Sequence, residues 1–183
     1  MTSYSEKIYG EDISPNVPVY MGIDQSYSGF ATTILAEDGR YQTRVAKFNN
    51  SGVERLLDIQ IYLSGILYRD ITDFAMEGYA YNSKMANMLG ELGAVVKLAV
   101  YSEFGIRPLV VPPTSLKKYV TGKGTGVQKN QMLLHVYKKW NVEFKDDNAA
   151  DSYALAKLVS NSASYAYEKE IYSKLTTDEK HRA

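Results

Sequence analysis

Two short apolar segments of this chain each end on an acid, and that pattern limits the folds open to it. VPVYMGID (17–24) is rich in β-branched and aromatic residues and closes on Asp24, while DFAME (73–77) closes on Glu77. Runs of this length and make-up read as strands. Between them, Ser28 to Ala36 reads as a second strand, Asp38-Gly39 as a hairpin turn pair, and Tyr41 to Phe48 as a third strand of an antiparallel meander. Ser51 and Glu54 have capping-box spacing. Val53, Leu56, Leu57, Gln60, Leu63 and Leu67 then recur at three- and four-residue steps, which predicts a helix over 52–69.

The rest of the chain alternates. A long helix over 84–104 is closed by Gly105, followed by a strand over 108–111 and a short helix over 114–120. A glycine loop, TGKGTG (121–126), precedes a helix over 127–140 and another from Asp147 to Asn161. This order predicts an α/β fold with a five-stranded mixed sheet, three antiparallel strands then two parallel, flanked by helices. The helix-bearing crossover returns beside the first strand, so the first and fourth strands are expected side by side and parallel. Asp24 and Glu77 then face each other at one carboxyl edge, and the helix carrying Asp147 and Asp151 packs across it. Residues 1–16 read as a polar extension, 17–161 as the domain, and 162–183 as a loosely held helical tail.

Composition narrows the chemistry. The 183 residues include no cysteine and two histidines, so disulfides and thiolate sites are excluded and any metal is held by oxygen. No apolar run approaches the roughly 18 residues of a membrane span, and the start lacks a signal or transit pattern. A reducing cytoplasm and no membrane are the expectation. Net charge is zero, yet the segment from Arg107 to Lys145 holds eight basic residues and one acid, Glu143. Such a stretch suits either a solvated helical face or a polyanion held beside an acidic site.

Any one of Asp24, Glu77, Asp147 and Asp151 reads as a helix cap or a surface charge, Asp147 above all as an N-cap. The set reads differently. Residues four apart lie about 40° apart on a helix, so Asp147 and Asp151 share a face, with Asn148 beside them. Carboxylates collected by one fold need hard divalent cations. Phosphodiester hydrolysis calls for much of the roughly 8–23 kcal/mol that enzymes take off a barrier, whereas one general base supplies about 10²–10⁴-fold. Two cations about 4 Å apart supply more. Metal-dependent phosphoester chemistry is the expectation.

GIDQSYSG after a strand, AMEGYA ending another, PTSLKKYVTGKGTGVQK and DNAADSYALA occur in this order. Together they resemble the RuvC-like Holliday junction resolvases, which have a ribonuclease H-like fold, over about 17–161. The resemblance implies a homodimeric endodeoxyribonuclease that resolves four-way DNA junctions with two Mg²⁺ or Mn²⁺ ions per site, working in DNA recombination and repair. It implies that Asp24, Glu77 and Asp151 are metal ligands. The bacterial pattern has an acid where this chain has Asn148. Asp147 lies one residue earlier, as in yeast mitochondrial and phage members, and is taken as the fourth ligand. A phage-type member would work in the bacterial host cytoplasm. Lys117 and Lys129 match family lysines on either side of the glycine loop, and Lys118 and Lys123 add to a DNA-binding set. Bacterial members carry a junction-opening aromatic where this chain has Ala80, leaving Tyr79 and Tyr81 as the candidates for stacking on bases. The long 84–104 helix is expected to contribute to the dimer.

Other readings stay open at this level. Forks, flaps and RNA–DNA hybrids are alternative substrates for the same site. A non-catalytic module for branched DNA would keep the fold without the chemistry. GIDQSYSG also resembles the first phosphate loop of sugar kinases and actin-like ATPases, which need two such domains.

Overall fold

In the computed structural model, residues 4–79 and 85–182 are described, with side chains as far as residue 178. The described strands are β1 (Tyr4–Gly10), β2 (Val19–Asp24), β3 (Phe30–Ala36), β4 (Tyr41–Phe48), β5 (Ile71–Glu77) and β6 (Leu109–Val111). They form one sheet in the order β1-β4-β3-β2-β5-β6. The pairs β1–β4, β4–β3 and β3–β2 are antiparallel, whereas β2–β5 and β5–β6 are parallel. The helices are α1 (Gly52–Ile66), α2 (Ala86–Phe104), α3 (Pro113–Thr121), α4 (Lys129–Trp140), α5 (Asp147–Val159) and α6 (Ala166–Arg182).

Alternation along the central strands sorts the core into two layers. Met21, Ile23, Phe74 and Met76 face one side, where they pack with Ile59 and Leu63 of α1 and Leu92 and Val96 of α2. Ala31, Val45 and Ala75 face the other, under Ala149, Tyr153 and Ala156 of α5. Gly22 lies on that second side. A Cβ there would stand 2.0 Å from the Ser152 carbonyl oxygen and 2.5 Å from the Ala156 nitrogen. The missing side chain therefore lets α5 lie directly on β2. Buried hydroxyls fix its position: Thr33 Oγ1 is 2.8 Å from Ser152 Oγ and 2.7 Å from Thr43 Oγ1.

Three expectations change. The sheet has six described strands, not five, because β1 pairs with β4. Its residues look polar because an edge strand keeps much of its surface in water. Its anchors lie far along the chain: Glu6 accepts from Tyr62 Oη at 2.8 Å and from Arg44 Nη1 at 3.1 Å, and the Tyr4 ring sits against Phe48 and Tyr62. Ser51 stands at the N-cap of α1, but its side chain makes no capping bond. Gly52 beside it has φ of 57°, so the first turn does not present the box geometry. The C-terminal helix is held rather than loose. Ile171 and Leu175 enter the α5-side core, and fully buried Glu168 is ion-paired with Lys139.

Candidate active site

The parallel pairing of β2 with β5 puts their carboxyl ends together, with Ile23 level with Met76. Asp24 and Glu77 follow on the α5 side, since each is two residues on from Gly22 or Ala75. Helix α5 begins at the same edge. Its N-cap is Asp146, whose carboxylate accepts from the Asn148 amide at 3.0 Å. That leaves Asp147, expected as the fourth ligand and a cap only when read alone, free to turn elsewhere. All four acids line one cleft of about 500 Å³, together with Lys117, Lys129, Asn148 and Tyr79.

Electrostatics in the cleft follow from crowding. Burial, then the charges of Glu77 and Asp151, push the Asp24 carboxyl well above its usual range, and its hydrogen bond with Glu77 adds to the rise. Glu77 is itself raised by burial, against the opposing pull of that hydrogen bond and of Lys117. Asp151 is pushed up to about 8 by burial and by the Glu77 and Asp147 charges. Its Oδ1 is closed off from solvent and has no hydrogen-bond partner. Lys129 Nζ lies 2.5 Å from Asp147 Oδ2, and this contact raises the lysine.

The donors fit a hard divalent cation. They are all oxygens, one is buried and unpartnered, and the crowding of Asp24 and Asp151 raises both carboxyls for want of positive charge. Among the described residues no three His, Cys, Asp or Glu groups converge as a ready-made ion cage. Asp24 is hydrogen-bonded to Glu77, and Asp147 is paired with Lys129. A cation would take over the neutralising role that Lys129 plays for Asp147.

The other residues singled out in the sequence divide. Lys117, Lys129 and Tyr79 line the cleft, and Asn148 joins Asp147 there, its Nδ2 placed 2.9 Å from where a Cβ of Gly29 would stand. Lys118 does not line this cleft but a groove between α3 and α6, with Glu170 and Lys174. Lys123 is exposed on the glycine loop and lies outside the lining. Ala80, Tyr81 and Lys84 fall outside the described residues.

Some lining was missed in the sequence. Gln25, Ser26, Tyr27 and Ser28 form the loop after Asp24, and Met85 and Leu89 give an apolar wall near Tyr79. The loop signal was there: residues immediately after a strand-end acid border whatever that acid binds. Arg55 of α1 fixes the loop by donating to the Tyr27 carbonyl at 2.5 Å, with its guanidinium 4.1 Å from the Tyr27 ring centroid.

No protein-family model matches the chain, and no curated protein matches it in sequence. Solved structures do match. A structure of Thermus thermophilus RuvC is 18% identical, with a TM-score of 0.58, over 87% of this chain and 97% of that one. A second, of T. thermophilus RuvC in complex with Holliday junction substrate, is 16% identical, with a TM-score of 0.57, over 86% and 95%. Identity this low speaks to architecture, and on architecture the agreement spans nearly the whole of both chains: this protein has the RuvC fold, ribonuclease H-like.

Proposed function

We propose that this protein is a Mg²⁺- or Mn²⁺-dependent endonuclease of branched DNA, with the four-way junction as its first substrate. The observation that carries the reading is the single cleft in which Asp24, Glu77, Asp147 and Asp151 meet beside Lys117 and Lys129. The fold adds support, because RuvC of T. thermophilus shares it and has been seen with a Holliday junction. Asp24, Glu77, Asp147 and Asp151 would hold the cations. When bound, these supply an activated water and stabilise the departing oxygen. Lys117 offsets charge on the scissile phosphate, and Lys129 exchanges Asp147 for a phosphate oxygen. Tyr79 and the apolar wall of Met85 and Leu89 face the nucleotide beside the break.

Two symmetric cuts need two sites, so an isologous dimer is part of the proposal. Exposed apolar residues on α1 and α2 support it: Val53, Leu57 and Ile61 on the first, Leu98 and Tyr101 on the second. A lack of cysteine and of any described helix long and apolar enough to cross a membrane suits work on DNA in a cytoplasm. The test is a cleavage panel of four-way junction, fork, linear duplex and RNA–DNA hybrid, each with Mg²⁺ and with EDTA. Cutting of the junction only with metal is expected. Preference for fork or hybrid would reassign the substrate, and binding without cutting under every condition would contradict the enzyme reading.

A further inference from the structure

Gln25 follows Asp24 directly and is only 4% exposed, yet the chemistry above makes no use of it. Its Nε2 donates to the main-chain carbonyl of Glu77 at 2.8 Å, across 52 residues of chain. The backbone ladder between β2 and β5 makes its last pairing at Ile23 and Met76, one residue short of the two acids. The Gln25 amide therefore joins the strand ends just beyond the last backbone pairing. On its other edge Glu77 pairs with Val111, and the Gly78 amide donates to the Val111 carbonyl at 2.8 Å. Glu77 is thus tied on both sides, on one of them with a side chain contributing.

The slot that receives Gln25 is shaped for it. Gly93 of α2 has no side chain, and a Cβ there would lie 3.1 Å from Gln25 Oε1 and 3.5 Å from Nε2. Oε1 is buried without a hydrogen-bond partner. A leucine would fill the same slot and remove the unpaired Oε1, but it would take the donor from the Glu77 carbonyl. What the amide adds is the bond to Glu77.

We infer that Gln25 is a positioning residue: it holds the Glu77 end of β5 against the Asp24 end of β2, so that both carboxylates present themselves to the same cation. This rests on the endonuclease reading for its role, but not for its test. Partners of metal-ligating side chains typically change metal affinity or activity by about 10–100-fold.

The experiment titrates Mn²⁺ into the DNA-free protein by calorimetry and measures junction cutting separately. For Gln25→Leu we expect Mn²⁺ affinity to fall about 10-fold or more, and kcat to fall about 10–100-fold. KM for the junction and junction affinity in EDTA should stay near the parent's, and Tm should fall by only a few degrees for the lost bond. Gly93→Ala, which presses on the amide, should reproduce the metal defect when Gln25 is present and be silent beside Gln25→Ala. Unchanged Mn²⁺ affinity in Gln25→Leu overturns the inference. So does a loss of junction affinity and Tm in step with the metal defect, or a Gly93→Ala effect that ignores residue 25. A parent that binds Mn²⁺ but cuts no branched DNA would sink the endonuclease reading alone, whereas one that binds no Mn²⁺ sinks both.

Discussion

Asp151 shows at the scale of one residue what crowding acids into one cleft does to a carboxyl. Burial above all pushes its carboxyl up to about 8 in the folded chain, against about 4 in an unfolded one. Between those values the folded state holds the extra proton, so stability must fall as pH rises through that window. Asp24 is shifted in the same direction. In EDTA, Tm should therefore drop between pH 5 and pH 8.5, and Mg²⁺ should restore part of the loss at the alkaline end by favouring the ionised carboxylates. Asp151→Asn should flatten the slope and raise Tm at pH 8 in EDTA while abolishing cutting. Thermal melts over pH decide this, and a flat profile for the parent would mean the acids are not crowded as described. Stability given up for function is the usual signature of a working site. Gln25, by contrast, was invisible in the sequence, since its partner carbonyl lies 52 residues away and no local pattern announces it.

At the scale of elements, the acid-bearing strands were legible because their signals are local. Each is a short apolar run ending at a charge, and the meander between them fixes which neighbours they take. Strand β1 was not legible, because what makes it a strand is pairing with β4 and the grip of Tyr62 and Arg44 on Glu6. Nor was the hold on α6, which depends on Lys139 meeting Glu168 from another helix and on the Ser164 amide donating to Glu168 at 2.6 Å. Removing one member of a buried pair costs about 3–5 kcal/mol. Glu168→Ala should then lower Tm by about 6 °C or more, with cutting below Tm changed only a few-fold, and an unchanged Tm would show the pair to be idle. Gly22→Ala probes the opposite contact. Its methyl meets two backbone atoms of α5, at 2.0 and 2.5 Å, that cannot rotate aside. Overpacking of this kind costs about 1–3 kcal/mol or more. We expect both Tm and cutting to fall, with cutting lost more completely because Asp147 and Asp151 ride on the displaced helix. A variant that cuts at the parent rate would show that α5 need not lie against β2.

For the whole molecule, the two faces of the sheet carry different surfaces. The α5 face gathers the acids and lysines, and the α1–α2 face exposes Val53, Leu57, Ile61 and Leu98. If the second face joins two copies, light scattering at micromolar concentration should report a dimer, and Leu57→Lys with Leu98→Glu should give monomers that bind junctions less tightly. A monomeric parent with intact junction cutting would contradict the two-site arrangement. Whatever the assembly, the acids of β2, β5 and α5 are proposed to form one site that needs all of them. Single-turnover cutting of a synthetic four-way junction in Mg²⁺ by Glu77→Gln tests it most directly. We expect a loss of about 10³-fold or more, with junction affinity in EDTA unchanged. Cutting at the parent rate would contradict it.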